Sequence, residues 1–201
     1  MDLCKLTANL TRLGYKVSRF ATKEEAADYL DRSIHQKTVG FGGSVTLDQL
    51  GLYEKLACHN QVFWHWRIPE GKTVADLRRE AGDTQVYLSS VNGIAESGEI
   101  INIDATCNRV AHILYGHEKV YLVTGVNKIA PDYDSALYRA RNIAAPLNAQ
   151  RLGKKPPWAV SADRCYHCSS PDRICRSLSV LWEAPLGADF EIVLIEEELG
   201  Y

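Results

Sequence analysis

The chain has 201 residues, enough for one domain with a full hydrophobic core, since a chain of this size buries roughly 70% of its unfolded surface. Apolar residues make up 46% and charged residues 24%, which excludes a disordered or fibrous protein. The net charge of −2 gives no basic footprint for nucleic acid; no stretch reaches the ~20 apolar residues of a membrane span; and MDLCKLTANL lacks the pattern of a signal peptide.

A cytoplasmic location is therefore expected, with residues 1–201 forming a single domain. Leu3, Leu6, Leu10 and Leu13 repeat at helical spacing, and Gly14 is a natural stop. Thr22-Lys-Glu-Glu25 has capping-box form ahead of a helix carrying Ala26, Ala27, Leu30 and Ile34. A short strand at Lys37–Phe41 runs into Gly42-Gly43-Ser44, and Thr46-Leu-Asp-Gln49 starts another helix. Gln61–Arg67 is aromatic and β-branched and reads as a strand; Thr73-Val-Ala-Asp76 opens a helix. Strands follow at Gln85–Ser90 and Glu99–Asp104, then a helix at Asn108–Tyr115 and a strongly apolar strand at Lys119–Val126. From Asp132 to Leu147 the apolar residues keep helical spacing, and Pro146 should end that helix. Leu178–Trp182 and Phe190–Ile195 read as strands of a final hairpin at a sheet edge. Alternating strands and helices predict an α/β fold with an open, mostly parallel sheet covered by helices on both faces.

Ligands of such sheets bind beyond the carboxyl ends of the strands, so three polar strand ends are candidate binding elements. Gly42, Gly43 and Ser44 follow the first of these strands and suit an anion, because glycines let backbone N–H groups approach it closely. A tight turn with a serine cap explains the same residues. The second group brackets an apolar strand: Asn92 and Glu96 before it, Asp104, Asn108 and Arg109 after it. Glu96 and Asp104 could move a proton if burial raised a carboxyl pKa, whereas a turn and a helix cap account for them without chemistry. The third is Asn127 and Lys128, directly after the apolar strand, where a lysine could neutralise an anionic substrate. The expected ligand is a small anion, a hydroxy or keto acid or a phosphate-bearing compound.

Cys165, Cys168 and Cys175 crowd one stretch inside a cysteine-rich connection at 153–177. Two thiolates two residues apart can hold zinc or part of an iron–sulfur cluster, with Cys175 as a third ligand. A redox pair, or reduced thiols in a structured loop, reads the same residues differently. A non-catalytic protein that docks on a partner or senses a metal through these cysteines is the alternative to a ligand-binding enzyme or enzyme subunit.

Gly40-Phe-Gly-Gly-Ser44, Ser90-Val-Asn-Gly-Ile94, Ile103-Asp-Ala-Thr-Cys-Asn-Arg109, Gly125-Val-Asn-Lys-Ile129, Arg141-Asn-Ile-Ala-Ala-Pro-Leu-Asn148 and Cys168-Ser-Ser-Pro-Asp-Arg-Ile-Cys175 together resemble the lactate-utilisation, or LUD-domain, family over nearly the whole chain. The resemblance implies a sheet similar to those of ribose-5-phosphate isomerase, glucosamine-6-phosphate deaminase and the CoA transferases, in which the loop after the first strand holds an anion. It implies a link to L-lactate oxidation with iron–sulfur protein subunits as partners; a homo-oligomer is compatible with the same sequence. Two departures stand out. The family usually has Gly-Thr-Gly-Asn-Arg where this chain has Ala105-Thr-Cys-Asn-Arg109, and Trp158 follows Pro157 where a further cysteine is usual.

Overall fold

The computed structural model describes residues 2–158 and 164–201; residues 159–163, part of the cysteine-rich connection, lie outside the described residues. Eight α-helices and ten strands are formed among the described residues. The first helix, α1 (Leu3–Arg12), is capped by Asp2, whose carboxylate accepts the N–H groups of Cys4 and Lys5. Then come β1 (Lys16–Phe20), α2 (Lys23–Ser33), β2 (Thr38–Phe41), α3 (Val45–Gln49), α4 (Leu52–Ala57), β3 (Gln61–Trp64), α5 (Val74–Gly82) and β4 (Val86–Ser89). The second half contains β5 (Gly93–Ala95), β6 (Ile100–Asp104), α6 (Asn108–Leu114), β7 (Lys119–Gly125), β8 (Ile129–Ala130), α7 (Tyr133–Arg139), α8 (Ala145–Arg151), β9 (Ser177–Leu181) and β10 (Asp189–Ile195).

Six strands form one sheet in the order β1-β10-β7-β4-β2-β3, every adjacent pair parallel. Alternation along the central strands sends side chains to both faces. Val123, Val193 and Ile195 pack with Leu30, Leu47 and Leu56 from α2, α3 and α4 on one side. Leu122, Ile192 and Leu194 pack with Leu6, Leu10, Ala81 and Ile113 from α1, α5 and α6 on the other. The expected open parallel sheet with helices on both faces is thus present. A second, four-stranded sheet, β8-β5-β6-β9, was not foreseen; it mixes parallel and antiparallel pairs and packs against the small residues Ala136 and Ala140.

Two expectations are corrected. The last two strands are not a hairpin: β9 pairs with β6 in the second sheet, and β10 lies inside the main sheet between β1 and β7. The reason is in their patterns, since Phe190–Ile195 is buried throughout and needs cover on both faces, whereas β9 is only half covered. Pro146 does not end a helix. The chain passes from α7 through a π-helical turn at Ala140–Ala144 into α8, where Pro146 occupies the first turn. The widened turn absorbs the N–H that proline lacks and the clash of its ring.

The main sheet contains a carboxylate that must be satisfied internally. Glu191 of β10 is fully buried, and Ser18 and Tyr29 each donate a hydroxyl hydrogen bond to it at 2.6 Å, with Lys16 and Lys119 at 3.1 Å. Burial pushes its pKa up, but the hydrogen bonds from Ser18, Tyr29 and the two lysines outweigh burial and leave it below the ordinary 4.5. A carboxylate whose folded pKa is depressed contributes stability above its unfolded value, which is lost as pH falls through the folded one. Glu191→Gln should therefore lower unfolding free energy at neutral pH by about 1–3 kcal/mol and flatten its loss below pH 4.5, read by urea titration at several pH values.

Candidate functional site

The chain order reverses beside β2: β3 is added on one side of it and β4 on the other. A crevice is expected at that switch point, outside the carboxyl ends of the strands. A cavity of about 310 Å³ lies there, and Ser44, Asn92 and Lys128, from three distant stretches of sequence, all line it.

At the end of β2, Ser44 caps α3 by accepting the Leu47 N–H at 3.2 Å, so the capping reading holds for this residue while it also faces the cavity. Gly42 does not line the cavity. Its N–H donates to the Leu88 carbonyl at 2.8 Å, and a Cβ at Gly42 would come within 2.9 Å of Ser89 Oγ and 3.1 Å of Arg109 Cγ. Glycine is needed there so that the turn can lie directly on the arginine.

Beyond β4 and β6 the polar residues form one network around Arg109. Its guanidinium donates to Asn102 Oδ1 at 2.6 Å, Asn92 Oδ1 at 2.9 Å, the Ser90 carbonyl at 3.1 Å and the Ile103 carbonyl at 2.7 Å. Asn92 Oδ1 also accepts the Ile103 N–H at 2.8 Å. Asp104 lines the cavity, but its carboxylate accepts three backbone N–H groups, from Ala105 at 2.7 Å, Arg109 at 3.0 Å and Val110 at 3.2 Å. It anchors the start of α6, as the capping explanation anticipated. Asn108 faces the cavity beside it. Glu96 is elsewhere: β5 carries the chain away from the rim, and Glu96 accepts the Asp2 N–H at 3.0 Å and pairs with Lys5 at 3.3 Å. The Asp2 N–H, then Lys5, hold its pKa below the ordinary value, the opposite of what a proton donor at neutral pH requires.

Lys128, after β7, is only 3% exposed. Its Nζ donates to Thr46 Oγ1 at 2.8 Å and Ser90 Oγ at 2.9 Å, tying together the ends of β2, β4 and β7. Among the described residues no carboxylate lies within ion-pair distance of it, and the charged neighbours that act on it are Arg139 and Arg109. Burial first, then repulsion from these two arginines, pushes the Lys128 pKa well below its ordinary value of 10.5. Arg139 stands behind the wall, donating to the carbonyls of Asn127 and Asn92 at 2.7 Å each. Asn127 faces the chain's last residues instead of the cavity, accepting the Leu199 N–H at 3.1 Å. This fastens Gly200 over the lysine, where a Cβ would come within 3.2 Å of Nζ.

Arg78, Arg151, His65 and Trp66 complete the outer wall. Arg151 stacks over the Trp66 ring at 4.8 Å. Burial and then Arg78 depress the His65 pKa to about 4, so this ring is neutral at physiological pH. Among the described lining residues there are four lysine and arginine side chains, Arg78, Arg109, Lys128 and Arg151, against one acidic side chain, Asp104.

A family model described as the LUD domain matches residues 3–195. The chain belongs to the LUD-domain family. A crystal structure described as a DUF162 family protein from Deinococcus radiodurans has a similar fold, with a TM-score of 0.57 and 11% identity over 96% of this chain and 95% of that one. No curated protein matches the sequence.

In this LUD domain the cysteine segment lies against the helix that follows β8. Arg141 donates to Cys165 Sγ at 3.7 Å and to His167 Nδ1 at 3.0 Å, and Asn142 Oδ1 accepts the Cys165 N–H at 2.8 Å. Cys168 accepts a hydrogen bond from the Trp158 indole at 3.1 Å, and Cys168 and Cys175 pack at the edge of a small cluster with Trp158 and Ile174. Among the described residues no group of three or more histidine, cysteine, aspartate or glutamate side chains is placed to hold a metal ion. A zinc or iron–sulfur site on Cys165, Cys168 and Cys175 is therefore not supported by the described residues. Among the described residues no helix is long and apolar enough to cross a membrane.

Cys107 adopts the left-handed region, φ 68°, immediately before α6. The family resemblance puts glycine here, which enters that region without strain; a cysteine is disfavoured there by about 1–2 kcal/mol. Cys107→Gly should relieve this strain, offset in part by the greater chain entropy of glycine, and raise unfolding free energy by about 0.5–1 kcal/mol, measured as a higher urea midpoint at unchanged slope.

Proposed function

We propose that this LUD-domain protein binds a small anionic compound, a hydroxy or keto acid or a phosphate-bearing molecule, in the rim cavity, and serves a lactate-utilisation-related role. The observation that carries this reading is an excess of positive charge without ion pairs: the buried Lys128 and Arg139 and the half-buried Arg109 cluster at the strand ends, Asp104 is the acidic side chain that acts on Arg109 from a distance, and among the described residues no acidic side chain forms an ion pair with any of the three. A buried charge without a counter-charge is disfavoured by several kcal/mol unless something of opposite sign arrives. An entering carboxylate or phosphate supplies that sign. The outer arginines, Arg78 and Arg151, raise the local concentration of anions at the mouth.

Ligand selection follows from the wall chemistry. Trp66 and Val74 give an apolar flank, and the hydroxyls of Ser90 and Thr46 give polar contacts for a hydroxyl or carbonyl oxygen next to the acid group. Asp104 already accepts three backbone N–H groups, which makes it an organiser of α6 in this reading.

The pH dependence separates this account from nonspecific binding. An anion beside Nζ favours the ammonium, so affinity should fall as pH rises above the lowered pKa of Lys128. The empty protein should behave in the opposite sense. Between that lowered value and 10.5 the unfolded lysine holds a proton that the folded one has released, so stability rises with pH. Thermal-shift titration with L-lactate, pyruvate and inorganic phosphate reads both effects, since a ligand at a hundred times its Kd stabilises by about 2.7 kcal/mol. Lys128→Met should abolish the pH dependence and weaken binding at least tenfold; equal shifts by all anions in both proteins would refute the assignment.

A further inference from the structure

The same lysine has a chemistry that anion binding does not use. Lys128 is one of the cavity-lining groups, yet its nitrogen is held in a defined way. Two of its N–H bonds point to Thr46 Oγ1 and Ser90 Oγ. Neither hydroxyl needs to return a proton to it: Ser90 Oγ donates to Thr46 Oγ1 at 3.3 Å, and Thr46 Oγ1 donates to the Leu199 carbonyl at 3.3 Å. One position on the nitrogen, the lone pair of the neutral amine, is left uncommitted in the wall. A desolvated lysine among cationic neighbours is how proteins keep an amine unprotonated and nucleophilic near neutral pH. Here the neighbours are Arg109 and Arg139, and Gly200 covers the amine from above. A surface lysine has none of these features.

We propose that the neutral form of Lys128 Nζ adds to the carbonyl carbon of a 2-oxo acid, whose carboxylate the arginines of the cavity wall hold, and forms an imine with it. This deepens the anion-binding reading and rests on it. The nitrogen lone pair forms the C–N bond while the carbonyl π pair moves to oxygen, which takes up the proton that the nitrogen loses. The resulting carbinolamine then expels water as the C=N bond forms, so the step is a condensation and needs no oxidant or reductant. The Ser90–Thr46 hydroxyl pair lies within hydrogen-bond distance of the reacting nitrogen and can pass the proton. A 2-hydroxy acid satisfies the same charges and has no carbonyl to react. The site would therefore bind both members of a hydroxy-acid and oxo-acid pair and capture only the oxidised one.

Reductive trapping tests this on the full chain. The protein is incubated at neutral pH with pyruvate and cyanoborohydride, and the product is analysed by intact mass and by peptide mapping, with thermal shifts recorded in parallel. The expected result is a single 1-carboxyethyl adduct located on Lys128, slowed by added L-lactate and absent when L-lactate replaces pyruvate. Lys128→Met, which removes a buried polar group and keeps all but one atom of the side-chain length, should melt cooperatively and take up no adduct. Pyruvate that stabilises the protein without modifying Lys128, or that modifies exposed lysines such as Lys72 and Lys154 at the same rate, would overturn the imine and leave the anion site standing. Neither stabilisation nor adduct would overturn both.

Discussion

The arrangement at the sheet rim depends on one interaction, the hold of two hydroxyls, Thr46 and Ser90, on a buried lysine that has no counter-ion. Hydrogen bonds engage two N–H groups of Lys128 but supply no counter-charge, and the charged groups that act on it are arginines. Everything around it is built to tolerate this. Asn92 and Asn102 direct their carbonyl oxygens to Arg109, so that with two backbone carbonyls four bonds from the guanidinium go to uncharged acceptors. Arg139 is treated in the same way by backbone carbonyls. Acceptors without formal charge satisfy donors and leave the positive potential of the cavity in place.

The fold places these groups without any local motif doing so alone. The strand ends of β2, β4 and β7 are neighbours because the sheet runs β7-β4-β2, although Thr46 and Lys128 are separated by 82 residues. The chain's last stretch returns to the same rim after β10, and Asn127 fastens it by accepting the Leu199 N–H. The carboxylate that the sheet does contain, Glu191, lies on β10 opposite Tyr121, the third residue of β7, with Ser18, Lys16 and Lys119 around it. The negative charge is thus kept near the start of β7, while the cavity opens beyond its carboxyl end.

Much of this was legible in the sequence because strand ends have a grammar. Glycine and short polar residues after an apolar run marked Ser44, Asn92, Arg109 and Lys128, and all four line one cavity. The signal failed where a residue's role depends on what another segment brings. Glu96 has the same composition signature as Asp104, yet β5 turns into a second sheet and delivers Glu96 to the start of α1. Thr46 read as the start of a helix and Ser90 as the end of a strand, and only the lysine makes them a binding pair. Arg78 and Arg151 sit on helices whose polar faces carry no mark of the cavity they border. Asn102, an amide within the apolar run Ile100–Asp104, was the one missed residue with a visible sign, since a buried amide in a strand demands a partner. The hairpin expected at the C-terminus failed for a related reason: a short turn joins β9 and β10 in sequence, but the burial each needs sends them to different sheets.

The central claim is that the cavity holds an anion by giving it a lysine to protonate. Calorimetric titration with L-lactate in two buffers of different ionisation enthalpy measures that directly, because L-lactate has no carbonyl and the only proton exchange is with the protein. The account predicts proton uptake on anion binding at pH values above the lowered pKa of Lys128, of up to one proton per bound anion, lost in Lys128→Met. Binding without proton uptake, with equal enthalpy after buffer correction in the wild type and the methionine variant, would contradict it.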